Sequence, residues 1–241
     1  KRAFTVFQIF FMISRYTWCI HILPHILFSR KDTYMTISHP LTRLQKFRLL
    51  SLIPIYFMIV GLFLQPVTEI IPGLITIIKE PDFLITDYFL IGGIGTSFIN
   101  AGLLTLLCIW TIYFLGMEMD GRTITSSCLM FGFSLFGKNL LNIWAILLGV
   151  YLYSHYHKKH MSSYIYIGFY GTSLSPIITQ IMYISDLPYA VRLIASLAVG
   201  LIIGFVLPPL STHVHYAHKG YSLYNVGFSS GIIATVIAVS Y

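Results

Sequence analysis

The sequence predicts an all-α fold, a polytopic transmembrane helical bundle with broken or re-entrant helices and internal repeats. Three observations carry that expectation. Of 241 residues, 56% are hydrophobic and 10% charged, whereas a soluble domain is about 25% charged. Several apolar runs reach the roughly 20 residues a helix needs to cross a hydrocarbon core of about 30 Å. Within those runs a short glycine-serine motif recurs four times. A soluble enzyme, a secreted disulfide scaffold and a nucleic-acid-binding domain are excluded, despite a net charge of +7. The basic excess reads as loop charge that orients helices in a bilayer.

Residues 1–48 form an N-terminal apolar or interfacial segment, interrupted by Arg15, His21, Pro24 and His25, followed by a basic loop with Arg30, Lys31, Arg43, Lys46 and Arg48. The loop's charge predicts a cytoplasmic side. Residues 49–241 are the bundle proper, and the ends read as those of a longer chain. A clean span runs from Leu49 to Gln65. The piece from Val67 to Ile78 is too short to cross and reads as re-entrant or interfacial. Further apolar blocks cover about 84–116, 124–153, 162–184, 190–208 and 220–241, giving six or seven crossings. The first two are too long for one straight helix and contain glycines at which to break, Gly92, Gly93 and Gly95, then Gly132 and Gly137. Pro208 and Pro209 mark the end of the fourth block. The cysteines, Cys19, Cys108 and Cys128, read as buried small hydrophobes.

The repeat is visible on comparing blocks. Tyr88, Ile91, Gly92, Gly95, Thr96 and Ser97 recur as Tyr164, Ile167, Gly168, Gly171, Thr172 and Ser173. Its shorter core, Gly-x-Ser followed by Leu or Phe, begins at Gly95, Gly132, Gly171 and Gly220, placing Ser97, Ser134, Ser173 and Ser222. Glycine permits a helix break, and the serine can cap the helix that follows. Broken helices in corresponding places point to a solute path; close packing through small residues is the plainer alternative.

Lys138 lies deep inside an apolar block, where an ionisable residue is costly and so functional by default. Asn142 follows one helical turn later, and Asn100 and Asn225 stand three residues after motif serines. Together they predict a path for a small polar or anionic solute, so the chain reads as a transporter or channel. The alternatives are a non-transporting assembly or sensor component and, remotely, an intramembrane serine protease. The motif's fourfold repetition speaks against a single nucleophile, so no enzyme activity, catalytic residue or cofactor is expected. Two joints share an H-x-H-x-x-H spacing, His155, His157 and His160, then His213, His215 and His218. Such imidazoles can ligate a transition metal or anchor at the headgroup level. The expected partners are the lipid bilayer, the solute and a second copy in a homo-oligomer, with no nucleic acid.

From about Leu49 onward the chain resembles a bacterial family of uncharacterised polytopic membrane proteins, a domain of unknown function. IGTSFINAGL from Ile94 to Leu103 and HKGYSLYNVGF from His218 to Phe228 carry that resemblance. It implies a multi-pass protein of the bacterial inner membrane and brings no activity. Gly220, Tyr221, Tyr224 and Asn225 are more loosely similar to the pore motif of urea-transporter-like channels.

Overall fold

A computed structural model describes residues 41–80, 86–184, 188–219 and 225–239, apart from the side chains of Ile184 and His218. The expectations for residues 1–40, Ser222 and Gly220 lie outside the described residues. Among those described, every regular element is helical. The α-helices are α1 (Arg43–Leu64), α2 (Val67–Lys79), α3 (Tyr88–Gly92), α4 (Ile94–Phe114), α5 (Gly121–Phe133), α6 (Trp144–Tyr156), α7 (Ile165–Gly171), α8 (Ser175–Ile184), α9 (Tyr189–His218) and α10 (Asn225–Val239). A short 3₁₀ turn, Thr172–Leu174, joins α7 to α8.

Three of these, α1, α4 and α9, are long and apolar enough to cross a bilayer, and they mark the chain as a membrane protein. In α4, 56% of the apolar window is buried, against 22% in α1 and 28% in α9, so α4 is the central helix. The outer two present Ile53, Phe63, Ile194 and Ile202 on the surface, as lipid-facing helices do. A capping box starts α1: Thr42 N–H donates to Gln45 Oε1 at 2.8 Å, and Gln45 N–H to Thr42 Oγ1 at 3.4 Å. Among the described residues these three are the helices long enough to span unaided, because turns divide the remaining apolar blocks into shorter helices.

The packing fixes the direction of each element. Gln65 meets Thr96 at one end of α1, while the Arg43 guanidinium donates to the Met117 and Tyr113 carbonyls at the other. Helices α1 and α4 are therefore antiparallel. Helix α5 runs back along α4, bringing Ser134 to the level of Asn100. There the chain turns, and α6 returns to the end it came from. Tyr153 near the end of α6 packs on Tyr164 at 5.3 Å, and Tyr166, two residues further, reaches Asp120 at the start of α5. The pair α5 and α6 is thus a hairpin that enters and leaves at one end of the bundle, with its turn buried inside. Next, α7, the 3₁₀ turn and α8 make a broken passage to the opposite end, where the Tyr183 hydroxyl donates to the Lys79 carbonyl at 2.5 Å. Helix α9 comes back parallel to α6. A Cβ added to Gly149 or Gly204 would fall 2.9 Å from the other's Cα, so only glycine allows so close an approach.

Several sequence expectations change. The interruption of the first long block is at Gly93, whose φ of +88° leaves the helical region. Gly95 lies inside α4 in close packing with Gly61. In the second block Gly132 is still helical, and the chain turns through Gly137 at φ +91°. Gly171 ends α7 with helical angles, its missing Cβ leaving room for Leu207. The motif copies therefore share no single local geometry. Ser97 and Ser134 do not cap the helices that follow. Their hydroxyls donate back to the Gly93 and Met130 carbonyls at 2.9 and 2.6 Å, an i−4 bond available to any helical serine. Pro208 and Pro209 do not end α9, which runs on to His218; prolines are tolerated in membrane helices where neighbours accommodate the freed carbonyls. Cys108 is buried, but Cys128 is exposed.

Candidate functional site

A polar turn inside an apolar bundle must find partners for its backbone groups. The residues between α5 and α6 do so through three asparagines. Asn139 Oδ1 accepts the Leu141 and Asn142 amides at 2.9 and 3.0 Å, and Asn142 Oδ1 accepts the Asn139 amide at 3.0 Å. Asn142 Nδ2 donates to the Gly137 carbonyl at 2.9 Å and lies 3.3 Å from Thr179 Oγ1 on α8. From α4, Asn100 Nδ2 donates to the carbonyls of Ser134 and Lys138 at 2.7 and 2.8 Å. The turn is pinned from both sides, and Lys138 is held at its tip.

The Lys138 side chain has little polar company. It is 1% exposed, with Nζ 3.9 Å from Met130 Sδ and 5.1 Å from the centre of the Phe133 ring. Among the described residues the one ion pair is Arg122 with Asp120, at 2.7 Å, and no carboxylate stands within ion-pair distance of Lys138. A buried charge without partner or water is costly. Lys138, however, borders a cavity of about 770 Å³. Its lining runs from the exposed Arg122 and the half-buried Asp120, which mark its mouth, past Leu129, Phe133, Phe169 and Val226 to the buried Lys138, and includes the half-buried Ser173. Helix α5 spans that depth, about 18 Å at 1.5 Å per residue. The Ser173 hydroxyl has no hydrogen-bond partner among the described residues.

The mouth is a built cluster. Asp120 caps α5 by accepting the Thr123 amide at 3.0 Å. The Tyr166 hydroxyl lies 2.7 Å from Thr123 Oγ1 and donates to Asp120 Oδ1 at 3.3 Å, with the Arg122 guanidinium 5.0 Å from the centre of its ring. The Tyr170 hydroxyl donates to the Arg122 carbonyl at 3.4 Å. Partial burial alone would raise the Asp120 carboxyl, but the Arg122 guanidinium and the Thr123 amide outweigh it and hold the carboxyl below its ordinary 3.8.

The family model described as protein of unknown function, DUF1576, matches residues 66–240. The chain belongs to that family. Neither a curated protein nor a solved structure matches it. The DUF1576 region contains the whole cavity lining and leaves α1 outside.

In this DUF1576 protein, the sequence-predicted path residues that line the cavity, among those described, are Lys138 and Ser173. Asn100, Ser134 and Asn142 brace the turn behind it. Lys138 and Asn142 do not share a helix face, because both lie in that turn. Ser97 sits at the Gly93 junction. Asn225 Nδ2 lies 3.3 Å from His215 Nδ1, although the next two residues, Val226 and Gly227, line the cavity.

The histidines are dispersed. His155 stacks on Tyr151 and His157 on Tyr153, with ring centres 6.3 and 4.3 Å apart; His160 Nδ1 lies 2.8 Å from Ser162 Oγ. His213 is exposed near the end of α9, and the side chain of His218 lies outside the described residues. Among the described residues no three His, Cys, Asp or Glu side chains are grouped to hold a metal ion, so the metal reading finds no geometry there. Sequence reasoning missed Gln65. Its Nε2 donates to the Gly92 carbonyl at 3.1 Å, and its Oε1 accepts the Thr96 amide at 3.0 Å. One side chain thereby satisfies backbone groups freed on both sides of the Gly93 break. A lone amide at the end of an apolar span was the available signal.

Proposed function

We propose that this chain is a transporter or channel component for a small polar or anionic solute, with the cavity above Lys138 as its binding path. The observation that carries the reading is the buried Lys138 side chain, which meets no carboxylate within ion-pair distance among the described residues and lines the same cavity as the unpartnered Ser173 hydroxyl. A re-entrant tip beside a broken helix is where membrane transporters place their solutes. Orientation follows from charge. Arg43, Lys46, Arg48, Arg122, Lys158, Lys159 and Lys219 gather at the end where the cavity opens, with Glu118 and Asp120. Lys79 and Arg192 stand at the other end with Glu69, Glu80 and Asp87. The positive-inside rule makes the basic end cytoplasmic, with the protein multi-pass in a bacterial inner membrane. The motif serines that bond back to carbonyls support an architectural role rather than a nucleophilic one.

The competing reading, a non-transporting assembly or sensor component, is favoured by Asn100, Asn142 and Gln65, which all join helices. Solute-induced thermal stabilisation separates the two, because a ligand that binds only the folded state raises the melting temperature. A screen of carboxylates, amides and inorganic ions is expected to yield a class that stabilises the natural chain and leaves Lys138→Met unmoved. No shift from any class would favour the assembly reading.

A further inference from the structure

We infer that the solute is a monocarboxylate with an apolar body, its carboxylate on Lys138 Nζ and Ser173 Oγ and its hydrocarbon part against Leu129, Phe133, Phe169 and Val226. The inference rests on the cavity being the solute path and goes on to specify what fits it.

Four features select this chemistry. Among the described lining residues Lys138 is the one basic group without an acidic partner, so a single negative charge balances it, whereas a dianion would bury a second charge unmatched. The groups waiting there are donors, an ammonium and a hydroxyl, and the two oxygens of a carboxylate can accept from both. A urea or primary amide brings mainly N–H donors, and the one carboxylate among the described lining residues, Asp120, is already engaged by Arg122, the Thr123 amide and Tyr166, which disfavours a urea-like solute. An amine would meet the Lys138 charge. The walls are aliphatic and aromatic, and a bare ion leaves them wet while a hydrocarbon body covers them. A cavity of about 770 Å³ is far larger than a halide needs, and it falls in the roughly 300–1,000 Å³ range of sites for organic ligands. At the mouth, the Asp120–Arg122 pair is internally neutral and adds no demand for a second anionic group.

The test is calorimetric titration of the purified full chain in lipid nanodiscs with acetate, butanoate, hexanoate and octanoate, alongside chloride, sulfate and hexanamide. Affinity is expected to rise about fourfold per added methylene until the walls are covered. Hexanamide should bind at least tenfold more weakly than hexanoate. Lys138→Met should abolish the carboxylate signal. Ser173→Ala should weaken every carboxylate by about tenfold while leaving the gain per methylene intact. Val226→Trp, which fills the cavity and spares the charge, should reduce the long chains more than acetate, and it keeps the test decisive if the Lys138 variant does not fold. Palmitate distinguishes the source: no gain over octanoate marks a water-borne acid, and a continuing gain marks a fatty acid entering from the bilayer, the carboxylate chemistry holding in both cases. Lys138-dependent binding of chloride or sulfate with no gain along the series would overturn the monocarboxylate and leave the site standing, as would hexanamide binding as tightly as hexanoate. Carboxylate binding undiminished in both the Lys138 and Val226 variants would overturn the site as well.

Discussion

Single side chains here do work that regular hydrogen bonding cannot. At Gly93, with φ +88° and ψ 163°, the backbone occupies a region essentially reserved for glycine. Gly93→Ala is expected to cost about 1 to 3 kcal/mol through that strain, checked by unfolding in detergent. Asn100 serves two buried carbonyls at once, so Asn100→Leu orphans both and is expected to cost about 2 to 4 kcal/mol. The same measurement checks it, and a change under half a kcal/mol would contradict the brace. Asp120 gives a pH signature. Its carboxyl is held below the ordinary 3.8, so its contribution is present at neutral pH and is lost as pH falls through the folded-state value. The melting temperature of Asp120→Asn should lie below that of the natural chain at pH 7 and converge with it below about pH 4. A constant gap across that range would contradict the pairing.

Among the elements, the α5–α6 hairpin is the least expected and the most consequential. Single crossings counted from the basic loop put residues 155–160 opposite Arg43, in conflict with Lys158 and Lys159. A hairpin that enters and leaves by one end removes the conflict. In a background with Cys19, Cys108 and Cys128 replaced by serine, single cysteines at Lys46, Glu118 and Lys158 should react with an impermeant thiol reagent from the same side of the membrane, and one at Asp87 from the other. Labelling at Lys158 from the Asp87 side would refute the hairpin. Helices α6 and α9 meet backbone to backbone at Gly149 and Gly204, so Gly149→Leu should cost at least about 3 kcal/mol or prevent assembly. The helical class, the span from Leu49 and the position of Lys138 inside the apolar bundle were legible because composition, length and a misplaced charge are local signals. The roles of Asn100 and Asn142 were not, since their partners lie 34 to 38 residues away in sequence. The observed breaks, at Gly93 and Gly137, fall among the glycines the sequence offers and two to five residues from the motif glycines Gly95 and Gly132, because glycine spacing shows where a helix can break and tertiary packing decides where it does.

Across the whole molecule, the two ends differ in more than charge. The basic end admits a cavity to mid-bundle, whereas on the far side the Gly93 break is closed by Gln65 and Thr96 with its backbone bonds satisfied by protein. This asymmetry has an electrical meaning. Where water follows the cavity, the potential at the basic end is carried inward almost to Lys138, and the voltage across the bilayer falls chiefly over the other half. An ion moving between Lys138 and the basic end then crosses little of the field. One passing from Lys138 to the opposite end crosses nearly all of it, at about 2.3 kcal/mol per elementary charge for each 100 mV. On the proposed path, solute exchange with the basic end is accordingly expected to be voltage-independent, and any onward step would be the one that membrane potential drives or opposes.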